Sequence, residues 1–316
     1  MDMLTYSEEQ TKEIFSKLLN EDVEVYPIGN HELKRHLVYR VENASGIIGV
    51  LKVYYKKNRW NREVASLRFL EGRGVKAPKV LRFGKLCDET EWIFMEYKEG
   101  EVFSKVKDSM SEDNVKEIYE AMGEQLFKIH SLKTFDFFGN WNENGNSIDN
   151  IKDFSIIFRK NVDAVLKELF DQHLEEEPLQ RQCAEILNGK LNLVEDVKVA
   201  HLHNGDFGER NILVKKADNK WKLSALIDFE HCVPYDRDSE IIDCYYKLLD
   251  ENQKFAEAFK SGYEKHMKFS DDLEKKKQLY ELYGGLSICS WAKMQAPDYY
   301  WEGISMLKKY SQSTDN

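Results

Sequence analysis

The chain has 316 residues, of which 42% are hydrophobic and 32% are charged. This composition supplies the apolar material for one large domain or two moderate ones, and it excludes a disordered or fibrous chain. The 46 Lys and Arg residues against 56 Asp and Glu residues leave a formal charge of -10, which repels nucleic acids and anionic membranes and suits a cationic partner. We therefore expect neither a nucleic-acid nor a membrane partner.

The five cysteines are widely spaced and include no Cys-x-x-Cys pair, as expected for a protein of the reducing cytosol. The first ten residues, MDMLTYSEEQ, are acidic where a signal peptide is basic. Apolar runs such as SIIF are far shorter than a membrane span. These features predict a soluble cytoplasmic protein.

The N-terminal part predicts a helix followed by a small sheet. Apolar residues at helical spacing behind the candidate N-cap Ser7 predict a helix over residues 6–19. The segments VEVYPI, HLVYRVEN and GIIGVLKVYY are rich in β-branched and aromatic residues, and they predict three antiparallel strands in sequence. A helix over residues 61–71 and two further strands, KVLRFGKL and EWIFMEY, complete a β-β-β-α-β-β order.

From residue 111 onward the pattern is mostly helical. Two short β-like segments, HLHNGDFGERNILV and WKLSALIDF, interrupt the helices and carry most of the polar side chains. A short polar connection at residues 96–100 separates the two halves. We therefore predict a lobe over residues 1–97 and a second lobe over residues 98–316, with a ligand cleft where they meet.

Three polar residues stand at the ends of these β-like segments. Asp206 and Asn211 lie on a loop ahead of an apolar strand, and Asp228 follows the apolar run of the next strand. Two carboxylates and a carboxamide supply a proton acceptor and hard oxygen ligands, which is the set that magnesium-assisted phosphoryl transfer requires. The alternative is that these side chains only cap turns.

A charged pair in the N-terminal part points to the same chemistry. Lys52 lies within the third strand, among apolar residues, and Glu63 follows at the start of the next helix. A lysine paired with a helix glutamate can hold a cation against nucleotide phosphates. The alternative is an exposed strand lysine and a helix-start glutamate favoured by the helix dipole.

Taken in chain order, these residues resemble the aminoglycoside phosphotransferase family. The resemblance extends over nearly the whole chain and includes the strand lysine, the helix glutamate, the connection after FME, the D-x-x-x-x-N loop and the I-D-F segment. That family, with choline kinase and related small-molecule kinases, has a protein-kinase-like fold. The resemblance implies an α+β chain of two lobes, a small antiparallel-sheet N-lobe and a larger, mostly helical C-lobe.

The resemblance also implies roles for individual residues. Asp206 would be the catalytic base, and Asn211 and Asp228 would be ligands of Mg²⁺. Lys52 would contact the phosphates of ATP or GTP, and Glu63 would hold Lys52. Backbone groups near Glu96 and Lys98 would bind the adenine ring, with Met95 and Phe94 beside it.

Two positions depart from the family pattern. Asn204 occupies the place of the usual histidine, two residues before the candidate base, and His203 precedes it. The phosphate loop has a single glycine, Gly29, and His36 stands where the family often has serine or asparagine. His36 and its neighbour Arg35 either contact phosphate or are solvated loop residues.

The acceptor site is less well defined by sequence. Glu230 and Asp236 belong to an acidic segment after the I-D-F motif that would either bind a polyamine-like acceptor or form a solvated face. The resemblance makes Asp238 structural, and His130 is interpreted as a packing or capping residue. Six aromatic residues near the C-terminus are interpreted as core: Tyr245, Tyr246, Trp291, Tyr299, Tyr300 and Trp301.

The sequence therefore predicts a kinase that phosphorylates a hydroxyl of a small molecule, with a cationic aminoglycoside as the first candidate. Two alternatives remain open. The same fold could act on a macrolide, choline or a sugar, or the chain could be a catalytically silent nucleotide-binding module. The oligomeric state is not indicated by the sequence.

Overall fold

The computed structural model describes residues 6–29, 31 and 36–311. The helices are α1 (Glu8–Leu19), α2 (Trp60–Leu70), α3 (Phe103–Val106), α4 (Glu112–Ser131), α5 (Phe154–Phe170), α6 (Glu177–Asn188), α7 (Arg237–Glu251), α8 (Gln253–Glu264), α9 (Leu273–Gln295) and α10 (Pro297–Ser311). Across these described ranges, no helix combines the length and the apolar character needed to cross a membrane.

The strands form three sheets. The strands are β1 (Glu24–Pro27), β2 (His36–Asn43), β3 (Gly46–Tyr54), β4 (Val80–Lys85), β5 (Glu91–Met95), β6 (Glu101–Val102), β7 (Thr134–Phe135), β8 (Ala200–His203), β9 (Ile212–Ala217), β10 (Lys220–Leu226) and β11 (Val233–Tyr235). Their orders are β1-β2-β3-β5-β4, β10-β9-β6 and β11-β8-β7.

The chain divides into two compact units. The first comprises the described residues up to Ala121, together with Asn140–Ile148 and Asn204–Val233; the second comprises the rest. These units follow spatial contact and not chain order, because β9 pairs with β6 and brings the segment after residue 204 back to the first unit. The lobes predicted at residues 1–97 and 98–316 remain a prediction.

The five-stranded sheet of the first unit follows from alternating burial along its strands. In β2, Leu37, Tyr39 and Val41 point into the core, and their neighbours are half-buried. Helix α1 covers this face through Phe15, whose ring packs edge-on against Trp92 of β5. Each such side chain contributes roughly 1.5–3 kcal/mol on burial. The predicted antiparallel sheet is confirmed, with β5 inserted between β3 and β4.

The predicted caps and helix ends are also found in the first unit. The hydroxyl of Ser7 accepts from the backbone N–H of Gln10, whose side chain accepts from the N–H of Ser7, so α1 begins with a capping box. Helix α2 ends at Leu70, before Gly72 and Gly74. This placement leaves Glu63 in the first turn of α2.

The second unit is mostly helical. Helix α9 packs against α5, α6, α7 and α10, and the short strands β7 and β8 pair beside them. Of the C-terminal aromatic residues that the sequence assigns to the core, Tyr245, Tyr246 and Tyr300 are buried, whereas Trp301 is about half exposed. The core interpretation is therefore wrong for Trp301, because its position on α10 faces solvent. The α+β class is confirmed.

Candidate active site

Lys52 is the centre of a buried charged cluster in the first unit. Its position in β3, opposite Val38 and Ile93, places the side chain among apolar neighbours with 3% of the residue exposed. The Nζ atom lies 2.9 Å from a carboxylate oxygen of each of three residues. These residues are Glu63, Asp228 and Glu230. We call these four residues the Lys52 cluster.

The opposite charges of this cluster stabilise one another's ionised forms. Burial acts to lower the pKa of Lys52, but the three carboxylates outweigh it and raise that pKa well above its ordinary value. Burial likewise acts to raise the pKa of Asp228 and of Glu230, and the Lys52 ammonium holds both pKa values below their ordinary range. All three groups are therefore ionised at neutral pH.

Glu63 connects helix α2 to the rest of the cluster. One carboxylate oxygen, Oε2, accepts from the Lys52 ammonium and from the hydroxyl of Tyr54. The other, Oε1, accepts from the backbone N–H of Phe229 at 3.2 Å. The predicted pair of Lys52 and Glu63 therefore exists as an ion pair, and it is sealed from solvent, with Glu63 1% exposed.

Asp228 lies two residues after the end of β10, where the sequence places the end of an apolar run. Its backbone has a φ of 64°, in the left-handed region that Asp and Asn tolerate better than most residues. The residue before it, Ile227, donates its N–H to the carbonyl of Asn211 at 2.9 Å. The segment that carries Asp228 is thereby tied to the loop that carries Asp206 and Asn211.

That loop is organised by two asparagines. Asn211 donates from Nδ2 to the carbonyl oxygen of Asp206 and to its carboxylate Oδ2, both at 2.9 Å. Asn204, which is buried, accepts from the backbone N–H of Asp206 at 3.0 Å. The Asp206 side chain itself is 39% exposed. Asn204 therefore holds the Asp206 backbone, whereas His203 bonds elsewhere, to the Ser239 hydroxyl at 3.0 Å.

Close packing fixes where this loop lies. Gly205 has a φ of 80°, and a Cβ atom there would lie 2.9 Å from Cβ and from the carbonyl oxygen of His231. Only glycine meets both conditions. The loop before Asp206 therefore touches the segment after Asp228 backbone against backbone.

The sequence predicts that Glu230 binds the acceptor. In the structure, Glu230 lies inside the Lys52 cluster. Its Oε2 atom is 3.1 Å from Nδ1 of His36, and Oε1 is 3.9 Å from Arg59. Burial, with the neighbouring Arg59, lowers the pKa of His231 to about 3. With 4% of the residue exposed, Glu230 is engaged by cations of the protein, so its surroundings do not support an acceptor role.

Asp228 and Asn211 carry oxygen donors of the kind that a magnesium ion takes, whereas Glu63 and Glu230 are engaged by Lys52. Carboxylate oxygens of Glu63, Asp228 and Glu230 lie within 4.8 Å of one another, and Asp228 is the most exposed of the three. Asn211 uses Nδ2 for both of its bonds to Asp206, so its Oδ1 atom takes part in neither of them. Hard oxygen donors of this kind are the ligands that Mg²⁺ prefers.

The predicted adenine-binding connection is extended chain after β5. Met95 and Phe94 are buried at the end of that strand. The backbone N–H of Glu96 donates to the carbonyl of Lys79 at 2.9 Å, so this N–H is already engaged within the protein. The side chains of Glu96 and Lys98 form an ion pair of 2.8 Å.

Asp236, the other predicted acceptor ligand, lies in a second buried cluster, in the second unit. It caps α7 through the N–H of Asp238 and accepts from the hydroxyl of Tyr280 at 2.6 Å. Lys276 lies 3.0 Å from Asp236 and 2.7 Å from Asp238. We call these four residues the Lys276 cluster. Both carboxylates are sealed by protein groups, so the acceptor role of Asp236 has no support in its surroundings.

His130 packs as the sequence indicates. It is fully buried in the second unit, 2.9 Å from the hydroxyl of Tyr263 and 2.9 Å from a carboxylate oxygen of Glu240. Burial lowers its pKa, although Glu240 acts to raise it. The residue joins α4 to α7 and α8.

Sequence reasoning missed how three residues contribute to the site, one of which it assigned to the acceptor instead. Tyr54 carries no motif, although its position two residues after Lys52 puts both side chains on one face of β3. The role of Asn204 was visible only as a departure from a family pattern. The third, Glu230, follows Asp228 by two residues, a spacing that could have placed it in the Lys52 cluster.

Comparison with known proteins gives a family match over most of this chain. The model of the phosphotransferase enzyme family matches residues 37–276. The crystal structure of aminoglycoside phosphotransferase APH(4)-Ia is similar over 95% of this chain and 98% of that chain, with a TM-score of 0.69 and 14% identity. A search of curated proteins gave no significant match.

Two further structures give the same result. The GDP and kanamycin complex of APH(2")-IIIa covers 96% of this chain and 98% of its own, with a TM-score of 0.67 and 15% identity. The gentamicin complex of APH(2")-IIa covers 97% of each chain, with a TM-score of 0.64 and 18% identity. The predicted protein-kinase-like fold is confirmed.

Proposed function

The chain belongs to the phosphotransferase enzyme family, and from that premise we propose its donor, its metal and its acceptor. It is an enzyme that transfers a phosphoryl group to a hydroxyl group. The proposed donor is ATP or GTP with Mg²⁺, and the proposed acceptor is a small cationic molecule, first of all an aminoglycoside. The observation that carries the proposal is the Lys52 ammonium, held 2.9 Å from both Glu63 and Asp228.

Asp206 is proposed as the base. Its carboxylate is partly exposed and held by Asn211, so it can accept the proton of a hydroxyl that approaches from solvent. The same bond orients the carboxylate before the acceptor arrives. In phosphoryl transfer little covalent work falls on the protein, so such positioning carries much of the rate.

Lys52 is proposed to contact the nucleotide phosphates, with Glu63 limiting its movement. Because Lys52 has three carboxylate partners, a phosphate can replace one of them without leaving the ammonium unpaired. Glu96, Lys98 and the buried Met95 would receive the base. A cytoplasmic location, where nucleotide is abundant, is part of the same proposal.

Asp228 and the Oδ1 atom of Asn211 are the residues that would hold Mg²⁺. The bound ion would supply charge neutralisation at the phosphates. Asp228 fits this role because its side chain is 26% exposed while its partner Lys52 keeps it ionised. The positions of Asp228 and Asn211 are linked by the backbone bond from Ile227.

The acceptor class rests on charge and on the relatives. The formal charge of -10 favours a cationic molecule. Solved relatives are described with hygromycin B, kanamycin and gentamicin. Macrolides, choline and sugars are the alternative acceptors.

The test is release of nucleoside diphosphate by the pure protein with Mg²⁺ and either ATP or GTP, against a panel of these acceptors. Stimulation above the acceptor-free rate by one class names the substrate. The matched control is Asp206→Asn, which we expect to bind nucleotide as the parent does and to lose at least about a hundredfold in kcat. Nucleotide binding without stimulation by any acceptor would favour the silent module.

A further inference from the structure

A short segment of the first unit, Asn140–Ile148, packs beside α2, although it is distant from α2 in the sequence. We call it the strap. It closes on itself through a bridge between Trp141 and Ser147 and through the bond from the N–H of Ile148 to the carbonyl of Asn140 at 3.1 Å. None of the residues assigned to phosphoryl transfer lies in it.

The strap holds the first turn of α2. Oδ1 of Asn140 accepts from Nε of Arg62 at 2.9 Å and from Nδ2 of Asn61 at 3.4 Å. Asn61 also donates to the carbonyl of Trp141. Asn61 and Arg62 immediately precede Glu63, so these bonds fix the turn from which the Lys52 partner projects.

The strap also holds the segment after Asp228. The ring of Trp141 is buried, with 1% of the residue exposed, and its Nε1 atom donates to the carbonyl of Cys232 at 3.0 Å. Glu63 reaches the same segment directly, through the N–H of Phe229. Helix α2 and the segment of Asp228 are therefore joined directly by Glu63 and also through the strap.

Apolar packing alone does not fix the position of α2 along its axis. The helix packs against β4 and β5, and hydrophobic contact is not directional. Hydrogen bonds have narrow geometric limits, so those of Asn140 and Trp141 restrict the rotation and height of the first turn of α2 relative to the Asp228 segment. A helix displaced by about 1 Å would break the 2.9 Å contact between Glu63 and Lys52.

We propose that Asn140 and Trp141 are positioning residues for phosphoryl transfer, holding α2 and the Asp228 segment in the register that the Lys52 cluster needs. The proposal rests on the proposed function for its kinetic consequence. Its structural consequence does not, because the contact between Glu63 and Phe229 can be measured without any substrate.

The experiment compares Asn140→Ala, Asn140→Asp and Trp141→Phe with the parent, and uses Trp60→Phe as the matched control. Trp60 also lies on α2 and donates from a buried indole, but to the carbonyl of Trp92 at 2.8 Å and not to the Asp228 segment. Trp141→Phe and Trp60→Phe each remove one such bond, and urea unfolding verifies that both fold.

Native-state hydrogen exchange of the Phe229 amide is the first readout. We expect exchange about fivefold faster in Asn140→Ala and in Trp141→Phe, as loss of one hydrogen bond implies, and little change in Trp60→Phe. Asn140→Asp keeps an acceptor oxygen for Arg62 and restores the parent rate. Equal exchange in Trp141→Phe and Trp60→Phe overturns the proposal.

Steady-state transfer is the second readout, with the nucleotide and acceptor that the panel identifies. We expect kcat to fall about fivefold in Asn140→Ala with KM for nucleotide nearly unchanged, and Asn140→Asp to recover it. A fall of the same size in Trp60→Phe contradicts the proposal. If the parent transfers phosphate to no acceptor, the proposed function fails, while the exchange of Phe229 still supports or overturns the strap.

Discussion

The Lys52 cluster and the Lys276 cluster share their chemistry and differ in their surroundings. In each, a buried lysine bonds to acidic side chains, and a tyrosine hydroxyl donates to one of them. In the Lys52 cluster, Asp228 keeps 26% of its side chain exposed, whereas the carboxylates of the Lys276 cluster keep 5% or less. Under the proposed function, the first cluster exchanges one of its partners for a ligand. In the second, both carboxylates are buried and share the Lys276 ammonium.

The pKa values of the carboxylates also differ between the two clusters. The pKa of Asp228 lies below its ordinary value, although burial acts to raise it, because Lys52 outweighs the burial. The pKa of Asp238 lies above its ordinary value, because burial and the neighbouring Asp236 together outweigh Lys276. A buried lysine with acidic partners is therefore no sign of function by itself. An accessible carboxylate that stays ionised is a better one.

Replacing each lysine by methionine gives the sharpest separation of the two clusters. We expect Lys52→Met to lower kcat/KM for nucleotide by about a hundredfold or more, because the phosphates lose their cation. Lys276→Met should leave kcat/KM within about threefold and cost about 3 kcal/mol of unfolding free energy, because Asp236 and Asp238 lose their shared cation. Diphosphate release and urea unfolding of both variants check this. If Lys276→Met lost more activity than its loss of folded protein explains, the distinction between the two clusters would be wrong.

Amide replacements test the carboxylates. We expect Asp228→Asn to weaken nucleotide binding in Mg²⁺ by about tenfold or more, with a smaller change in EDTA, because the variant lacks one anionic ligand of the metal. Asp238→Asn should bind nucleotide as the parent does. Fluorescent-nucleotide titration with and without metal gives the measurement, and unchanged affinity in Asp228→Asn would remove that residue from the metal site.

The two clusters should respond to pH with opposite sign. The lowered pKa values of Asp228 and Glu230 stabilise the folded chain above their ordinary values of 3.8 and 4.5, and this contribution is lost as the pH falls through the folded values. The raised pKa of Asp238 acts in reverse, because its ionisation costs stability as the pH rises above 3.8. Asp238→Asn should therefore make stability rise more steeply with pH.

Urea midpoints between about pH 3 and pH 7 measure that slope for the parent, Asp238→Asn and Lys52→Met. Lys52→Met should flatten the rise or reverse it, because burial then raises the pKa values of the remaining carboxyl groups. Parallel curves for all three proteins would show that neither cluster governs acid stability.

The smallest expected effects come from the two tyrosines. Tyr54→Phe and Tyr280→Phe each remove one hydrogen bond to a carboxylate, worth about 1.5–3 kcal/mol of unfolding free energy. Only Tyr54→Phe should also change kinetics, by about twofold to fivefold in kcat, because Glu63 loses one of the groups that hold it. Thermal or urea unfolding beside steady-state rates separates the two outcomes, and a matching kinetic change in Tyr280→Phe would count against the distinction.

The parts predictable from sequence are those with local signals. Strand alternation gives the first sheet, and the fixed order of Lys52, Glu63, Asp206, Asn211 and Asp228 gives the family and its fold. The roles assigned to these residues remain predictions.

The remaining features depend on contacts between distant segments. Glu230 and Asp236 belong to one acidic segment, yet they enter different clusters, because the partners that claim them are Lys52 and Lys276. The two-residue strand β6 is too short to show a period. Trp141 and the rest of the strap are distant from α2 in the sequence, and no repeat or motif predicts their contact with it.

The approach of Gly205 to His231 has a consequence for enzyme engineering. The spacing between the proposed base and the proposed metal ligand depends on two main chains in van der Waals contact, with room for one hydrogen atom and not for a methyl group. Ionisable side chains on either of these two segments can therefore be substituted while the backbone contact between the segments is kept. An enzyme redesigned for another acceptor or donor substrate would keep this spacing, provided that Gly205 is not substituted.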